Sequence, residues 1–435
     1  MDYIILFFSA LWSALGILLF YWWLWLPISL WFIFWELLTN YTRAKYVSEL
    51  KWIVLELQLP QDTHRSLKAM EQTFAGLHVI GAVWNPKTLF DRFKVWREKV
   101  FKGKVADWIS LEIVSIGGQI HFYIRCLESH RQVIQAQIYA HYPEAEITEV
   151  ADYVLELPVQ APNDEYEMTG QELGLTKADA YPIRTYPEFE EEHPGKDDAK
   201  RTDPLGPVAE AMAALSLGEY LGIQFLIRSA DDSWVKKAQA VLDKIFEKPA
   251  KPRQDALDKI MGGIEGAIQG VAGSAPADDK KDKKDKKDEK KAKTFLEIGV
   301  GLQDAVKAIE RNLSKFGFQT GIRVVYLARK DRFLKERLGS VLAAFKLFSS
   351  LSLNGFKPAF MVEVFKGRNK ALYTFQNKKW LYQRYRYRTF PEKPFILTTE
   401  EMATVYHFPD VSIHTPTLPR VESKKGEPPT NLPIV

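Results

Sequence analysis

Cysteine is almost missing from this sequence: Cys126 stands alone in 435 residues. No intramolecular disulfide can form, and a reducing compartment is expected. Histidine is sparse, and none of the eight stands four residues from another, so the paired-histidine metal spacing of a helix is excluded. There is no GxxxxGK[ST] phosphate loop, GxSxG elbow, HExxH or CxxC. Those absences remove the best-marked routes to nucleotide, acyl and metal chemistry, so no catalytic, cofactor-binding or metal-binding residue is assigned and a non-enzyme is expected. The net charge of +4 is too small to argue for nucleic acid on bulk electrostatics.

Charge is missing altogether from Tyr3 to Trp35. As a helix that run reaches ~50 Å, against a hydrocarbon layer of about 30 Å. A single membrane anchor is expected, spanning over Ile4–Phe20. Tyr21, Trp22, Trp23 and Trp25 then mark one interface. Beyond a kink at Pro27, residues 28–38 either span again or lie along that interface with Trp31 and Trp35. A cleaved signal is disfavoured, because no basic residue precedes the run. Asp2 lies before it and Arg43, Lys45 and Lys51 after it. The positive-inside rule therefore places the body in the cytoplasm of a bacterial cell, behind a single-pass inner-membrane helix.

Beyond the anchor segment (1–46) the chain is α+β in pattern. Over 47–157 it alternates strand, helix, strand, strand, helix, strand. Trp52–Leu59, Trp108–Ile116, Gln119–Cys126 and Glu146–Leu157 read as strands, and Gly117-Gly118 as a hairpin turn. This is the order of a ferredoxin-like βαββαβ domain. Residues 158–203 read as an acidic, proline-rich loop. A second, split α/β domain is expected from 204–247 and 294–395. Its halves flank a Lys/Asp-rich insertion, 248–293, whose composition predicts disorder. Gly222-Ile223-Gln224 and Gly321-Ile322-Arg323 open similar strands in the two halves. Residues 396–435 form a capped helix at Thr398 or Thr399 and an extended proline-rich tail.

One stretch invites a binding role. Lys379–Phe390 interleaves Arg384, Arg386 and Arg388 with Tyr385 and Tyr387. On a strand the arginines would share one face and the tyrosines the other, which suits a phosphate backbone with stacking rings. The same pattern suits a strand with one buried aromatic face and one solvated basic face.

Several segments resemble a bacterial family of membrane-anchored proteins. They are Leu67–Glu71 with Phe74–His78, Ser110–Ile113 with Gly117–Arg125, and Ile138–Pro143. Near the end, Thr399–Thr404, His407-Phe408-Pro409 and Pro428–Pro433 are similar to the segment leading into a motor domain. In that family the module lies beside, or is fused to, HerA/FtsK-like ATPases of type IV secretion and conjugation. The resemblance implies a scaffold docked to a separate motor ATPase, with homo-oligomerisation possible. His407, Phe408, Pro409, Asn431, Leu432 and Pro433 would form the docking tail. A membrane-bound nucleic-acid-binding protein acting through the Arg384–Arg388 stretch is the alternative.

Overall fold

The computed structural model describes residues 20–58, 66–81, 88–191, 203–246, 299–364 and 367–409, with Phe7, Trp12 and Gly16 besides. The proposed span over Ile4–Phe20 lies mostly outside these residues, as do the insertion 248–293 and the tail residues Asn431, Leu432 and Pro433. Among the described residues no helix is long and apolar enough to cross a membrane.

The helix α1 (Trp22–Glu49) runs through Pro27. It delivers the chain to β1 (Trp52–Gln58), followed by α2 (Leu67–Leu77) and α3 (Leu89–Phe101). Then come β2 (Ile109–Ile116), β3 (Gln119–Leu127), α4 (Arg131–His141) and β4 (Glu146–Val150). Gly117 and Gly118 make the β2–β3 turn with φ of 59° and 93°, as a tight hairpin with two left-handed residues requires. The last strand is shorter than expected: beyond Val150 the chain turns, and Tyr153–Leu155 form a 3-10 turn that buries Tyr153 and Val154.

The stretch 158–203 is not simply a loop. Tyr166–Leu175 is a strand, β5, lying between two others in the sheet. Its sequence hides this because Gln171 and Glu172, polar in the string, are used inside the fold. After it come α5 (Tyr186–Glu191), α6 (Gly206–Ala213), β6 (Glu219–Ser229) and α7 (Ser233–Ile245). The chain continues with α8 (Val300–Leu313), β7 (Gly317–Arg329), α9 (Glu336–Ala344) and β8 (Phe356–Met361). It closes with α10 (Lys370–Arg386), β9 (Phe395–Thr398) and α11 (Thr399–Val405).

The nine strands of the described residues form one antiparallel sheet in the order β4-β1-β3-β2-β6-β7-β5-β8, with β9 added beside β7. β2 pairs with β6 from Ile109 to Ile116, so strands of residues 47–157 and of 204–395 lie in one sheet. The two faces differ. One is apolar, with Leu55, Leu111, Ile124, Phe225 and Val324 packed under α2, α4, α6, α9 and α11. The other is covered by α10 and the turn at Tyr153, and carries Val54, Val114, Met168 and Val325 among buried polar groups.

The helix α10 corrects the strand expected over Lys379–Phe390. The alternation of Arg and Tyr there has a period of two. The residues that bury are Leu381, Tyr382 and Tyr385, and their spacing is helical.

Candidate functional site

The sheet face beneath α10 holds a row of polar side chains one register deep. Strand pairing aligns Glu56 with Tyr123, Tyr123 with Glu112, Glu112 with Gln224, Gln224 with Arg323, and Arg323 with Glu172. Directly paired residues share a face, so these six stand side by side across six strands. Glu112 and Arg323 come from strands that otherwise read as apolar, ISLEIVSI and GIRVVYLA. A single charged residue in a buried strand was the signal available, and composition and motif searches pass over it.

The last turn of α10 completes the row. Tyr385 lies flat enough over the sheet that a Cβ on Gly222 would stand 1.9 Å from its hydroxyl, so only glycine fits beneath it. The Tyr385 hydroxyl meets those of Tyr153 (3.0 Å) and Tyr220 (2.5 Å). Tyr153 in turn donates to Glu112. Arg388 follows the helix with φ of 48°, a left-handed conformation at the helix end. This conformation turns its guanidinium onto the sheet, where it donates to Glu112 (3.0 and 3.2 Å) and to Asp152 (2.6 and 2.8 Å). The Arg388 and Glu112 side chains are 1% and 0% exposed.

Burial alone would lower the Arg388 guanidinium, but Glu112 and the other acidic neighbours outweigh it and hold the group above its ordinary value. Burial likewise opposes ionisation of Asp152, and Arg388 overcomes it, so that carboxyl is held below the usual range. Tyr153 and Tyr220 are pushed well up by burial, which keeps both as neutral donors. Further along, Arg323 donates to Glu172 (2.6 and 2.9 Å) and to the Arg384 carbonyl (2.9 Å). Arg125 is the exception: it lies over the Trp52 ring at 4.0 Å, and its Nη1 is buried without a hydrogen-bond partner. Burial and the neighbouring Arg388 lower it to about 10.

This network is satisfied from within. A cavity beside Arg323 and Glu172 has about 40 Å³, room for little more than water. The arrangement locks α10 to the sheet.

A second polar cluster lies on the opposite face, around α11. Thr398 and Glu401 form a capping box, in agreement with the sequence, and every residue of the helix is buried. The Glu401 carboxylate accepts from the Thr398 and Ile183 backbone N–H groups at 2.8 and 2.9 Å. Burial nevertheless raises it to about 7. Glu400 accepts from Thr185 (2.8 Å) and Arg311 (3.1 Å). Glu400, Arg311 and Asn312 reach the wall of an open cleft of about 510 Å³. Cys126 is buried, and burial pushes its thiol up to about 12, away from nucleophilic use. Among the described residues no three His, Cys, Asp or Glu side chains are placed to hold a metal ion.

The residues singled out in the sequence fall in three places. Arg384 donates to Glu172 (3.2 Å) and lies over Trp380; Arg386 donates to the Val154, Leu157 and Pro158 carbonyls. With Arg388 and Tyr385 in the buried row, Tyr387 is the exposed member, at 68%. The expected basic strand face is therefore replaced by guanidinium groups turned into the fold. His407 and Phe408, expected in a docking tail, are core residues. His407 is within 2.8 Å of Asp203, and the Phe408 ring packs on Phe122 and Tyr142. Pro409 is half-buried where the described chain ends.

The aromatic residues of α1 face outward. Tyr21, Trp22, Trp23 and Trp31 are exposed, as are Phe32, Phe34 and Leu37; of Trp25 only its place in the helix is described. Trp35 is half-buried, stacked on Trp31 (5.9 Å) and on Trp96 of α3 (5.9 Å, 15°). Such a contiguous apolar surface marks an interaction site.

Residues 86–420 match the model of a family described as a domain of unknown function, DUF8128. The chain belongs to that family. No curated protein matches it. The span matched by the DUF8128 model takes in α3, Glu112, Glu172, Gln224, Arg323, Arg388 and α11. It leaves out α1 and β1, although β1 sits inside the sheet between β3 and β4.

Proposed function

We propose that the protein is a non-enzymatic scaffold anchored in the bacterial inner membrane through its N-terminal segment, with its body on the cytoplasmic side. The observation that carries this reading is the outward-facing aromatic surface of α1, which continues the uncharged run from Tyr3 to Trp35. Aromatic rings at that density suit the headgroup level of a bilayer. Arg43 and Lys45, exposed beyond them, suit the cytoplasmic side.

The finer reading is an accessory component of a type IV secretion or DNA-translocation system that docks a separate HerA/FtsK-like motor ATPase. It rests on the sequence resemblance. We also infer that the first unit is ferredoxin-like, which its β4-β1-β3-β2 strand order supports. A docking tail, if it operates, begins after Pro409, because His407 and Phe408 are occupied in the core.

Two measurements test the proposal. Full-length protein expressed in bacteria should stay in the membrane after alkaline extraction, and protease should reach the body only from the cytoplasmic side. Extraction into the soluble fraction overturns the anchor. A motor ATPase encoded beside this gene should be captured by the full chain and lost on deletion of residues 410–435. Unchanged capture sinks the docking claim.

A further inference from the structure

The helix α3 is the least explained element of the fold. It belongs to a covered sheet protein, yet Leu89, Phe90, Phe93 and Phe101 are 83%, 76%, 58% and 58% exposed, and Trp96 is exposed beside them. Threaded among these rings are Arg92, Lys94, Arg97 and Lys99, with Lys102 and Lys104 just beyond. The acidic residues of the stretch are engaged: Asp91 with the Thr88 cap (2.8 Å), and Glu98 with Lys104 (3.6 Å). Arg92, Arg97, Lys99 and Lys102 make no ion pair among the described residues.

Its direction is fixed by α1. The Thr42 hydroxyl donates to the Val100 carbonyl (2.9 Å), and a Cβ on Gly103 would stand 2.1 Å from the Thr42 carbonyl. Further toward the N-terminus, Trp35 stacks on Trp96. The two helices therefore run in the same sense, pinned together at their C-terminal ends. Leu89 and Trp31 each lie eleven residues before the Thr42–Val100 contact, ~16 Å back along either helix. The aromatic tip of α3 thus projects toward the end of α1 from which the uncharged run departs.

We propose that α3 is a second membrane contact: an interfacial helix that sets Leu89, Phe90, Phe93 and Trp96 into the acyl boundary of an anionic leaflet while its arginines and lysines meet the headgroups. The inference rests on the reading of the N-terminal segment as an anchor. A protein partner fits less well, because the cores of protein interfaces are depleted of lysine. Aromatic and aliphatic side chains flanked by Lys and Arg suit an anionic lipid surface. With α1 pinned to α3, the contact would hold the sheet body at a fixed attitude to the bilayer, where a single tether would let it swing.

The test uses the full chain with Cys126→Ser, reconstituted in phosphatidylcholine vesicles with or without phosphatidylglycerol. Single cysteines replace Phe90, Phe93 or, as a control, the exposed Leu217 beside the far turn of β2, and each carries a polarity-sensitive dye. Co-flotation reads the anchor, and quenching by lipid-borne quenchers reads α3. We expect the dyes at 90 and 93 to be lipid-quenched in the anionic vesicles and the dye at 217 to stay in water. Arg92→Glu with Arg97→Glu should cut the quenching at 93 several-fold. Aqueous dyes at 90 and 93 on a chain that still floats overturn the α3 contact and leave the anchor standing. A chain that does not float overturns both. Quenching at 90 and 93 that is equal in both kinds of vesicle overturns the requirement for anionic lipid.

Discussion

The sheet body and the α1–α3 pair handle polarity in opposite ways. In the body, Glu112, Arg323 and Arg388 are buried to 1% exposure or less. In the pair, Trp31, Phe32 and Phe90 stand more than half exposed. Burying an ion costs several kcal/mol, and leaving a large apolar side chain in water forgoes about 1.5–3 kcal/mol. The body offsets this cost internally for these three, since each meets an opposite charge or a carbonyl. Among the described residues Trp31, Phe32 and Phe90 stay uncovered, and the membrane contacts proposed above would offset that exposure. In Lys379–Phe390 the charged residues serve the architecture, the reverse of what composition suggests for a basic, aromatic segment.

The largest effect should come from the body. Arg388→Met removes the cation from between Glu112 and Asp152 and leaves two carboxylates under α10. Breaking such a buried pair should destabilise the fold by ~3–5 kcal/mol, seen as a lower denaturant midpoint. Adding Glu112→Gln should restore part of that loss. If the two substitutions add independently, the pair is not a unit and the contrast with α1–α3 loses its basis.

Next is a buried carboxyl on the opposite face of the sheet, Glu401. Burial raises Glu401 from 4.5 to about 7. Between those values the folded state binds more protons than the unfolded state, so this group's contribution to stability falls as pH rises from about 4.5 to about 7. The loss is on the order of 3 kcal/mol. Glu401→Gln should flatten that limb of the stability profile. A profile as steep as that of the parent protein would mean that Glu401 titrates normally. Smaller still is Tyr385→Phe, which deletes the hydroxyl shared by Tyr153 and Tyr220 and should cost ~1 kcal/mol in the same denaturation assay.

Legibility in the sequence divides along the same line. Strands with apolar alternation and a glycine turn, such as β2 and β3, were legible, and so was the strand around Gly222-Ile223-Gln224. The Thr398 cap was legible because capping is local chemistry. The polar row was not, because Glu112, Gln224 and Arg323 become partners only through pairings across 112 and 99 residues of chain. For the same reason β5 read as a loop and α10 as a strand: Glu172 and Arg388 look solvated until their partners are placed. The aromatic residues of α1 were visible from the start, but only the structure set the helix Leu89–Phe101 beside them.

The smallest stability effect is expected where the sequence looks most hydrophobic. Trp31→Ser with Phe32→Ser removes two large rings from α1, yet both are exposed, at 61% and 69%. In detergent, stability should change by no more than about 0.5 kcal/mol per site, as for surface positions in general. In vesicles the same protein should be retained less firmly, because the rings lost are those placed for the headgroup level. A large loss of stability with unchanged retention would make α1 part of the core. It would also erase the distinction between a body that buries its charges and a helix pair that exposes its rings.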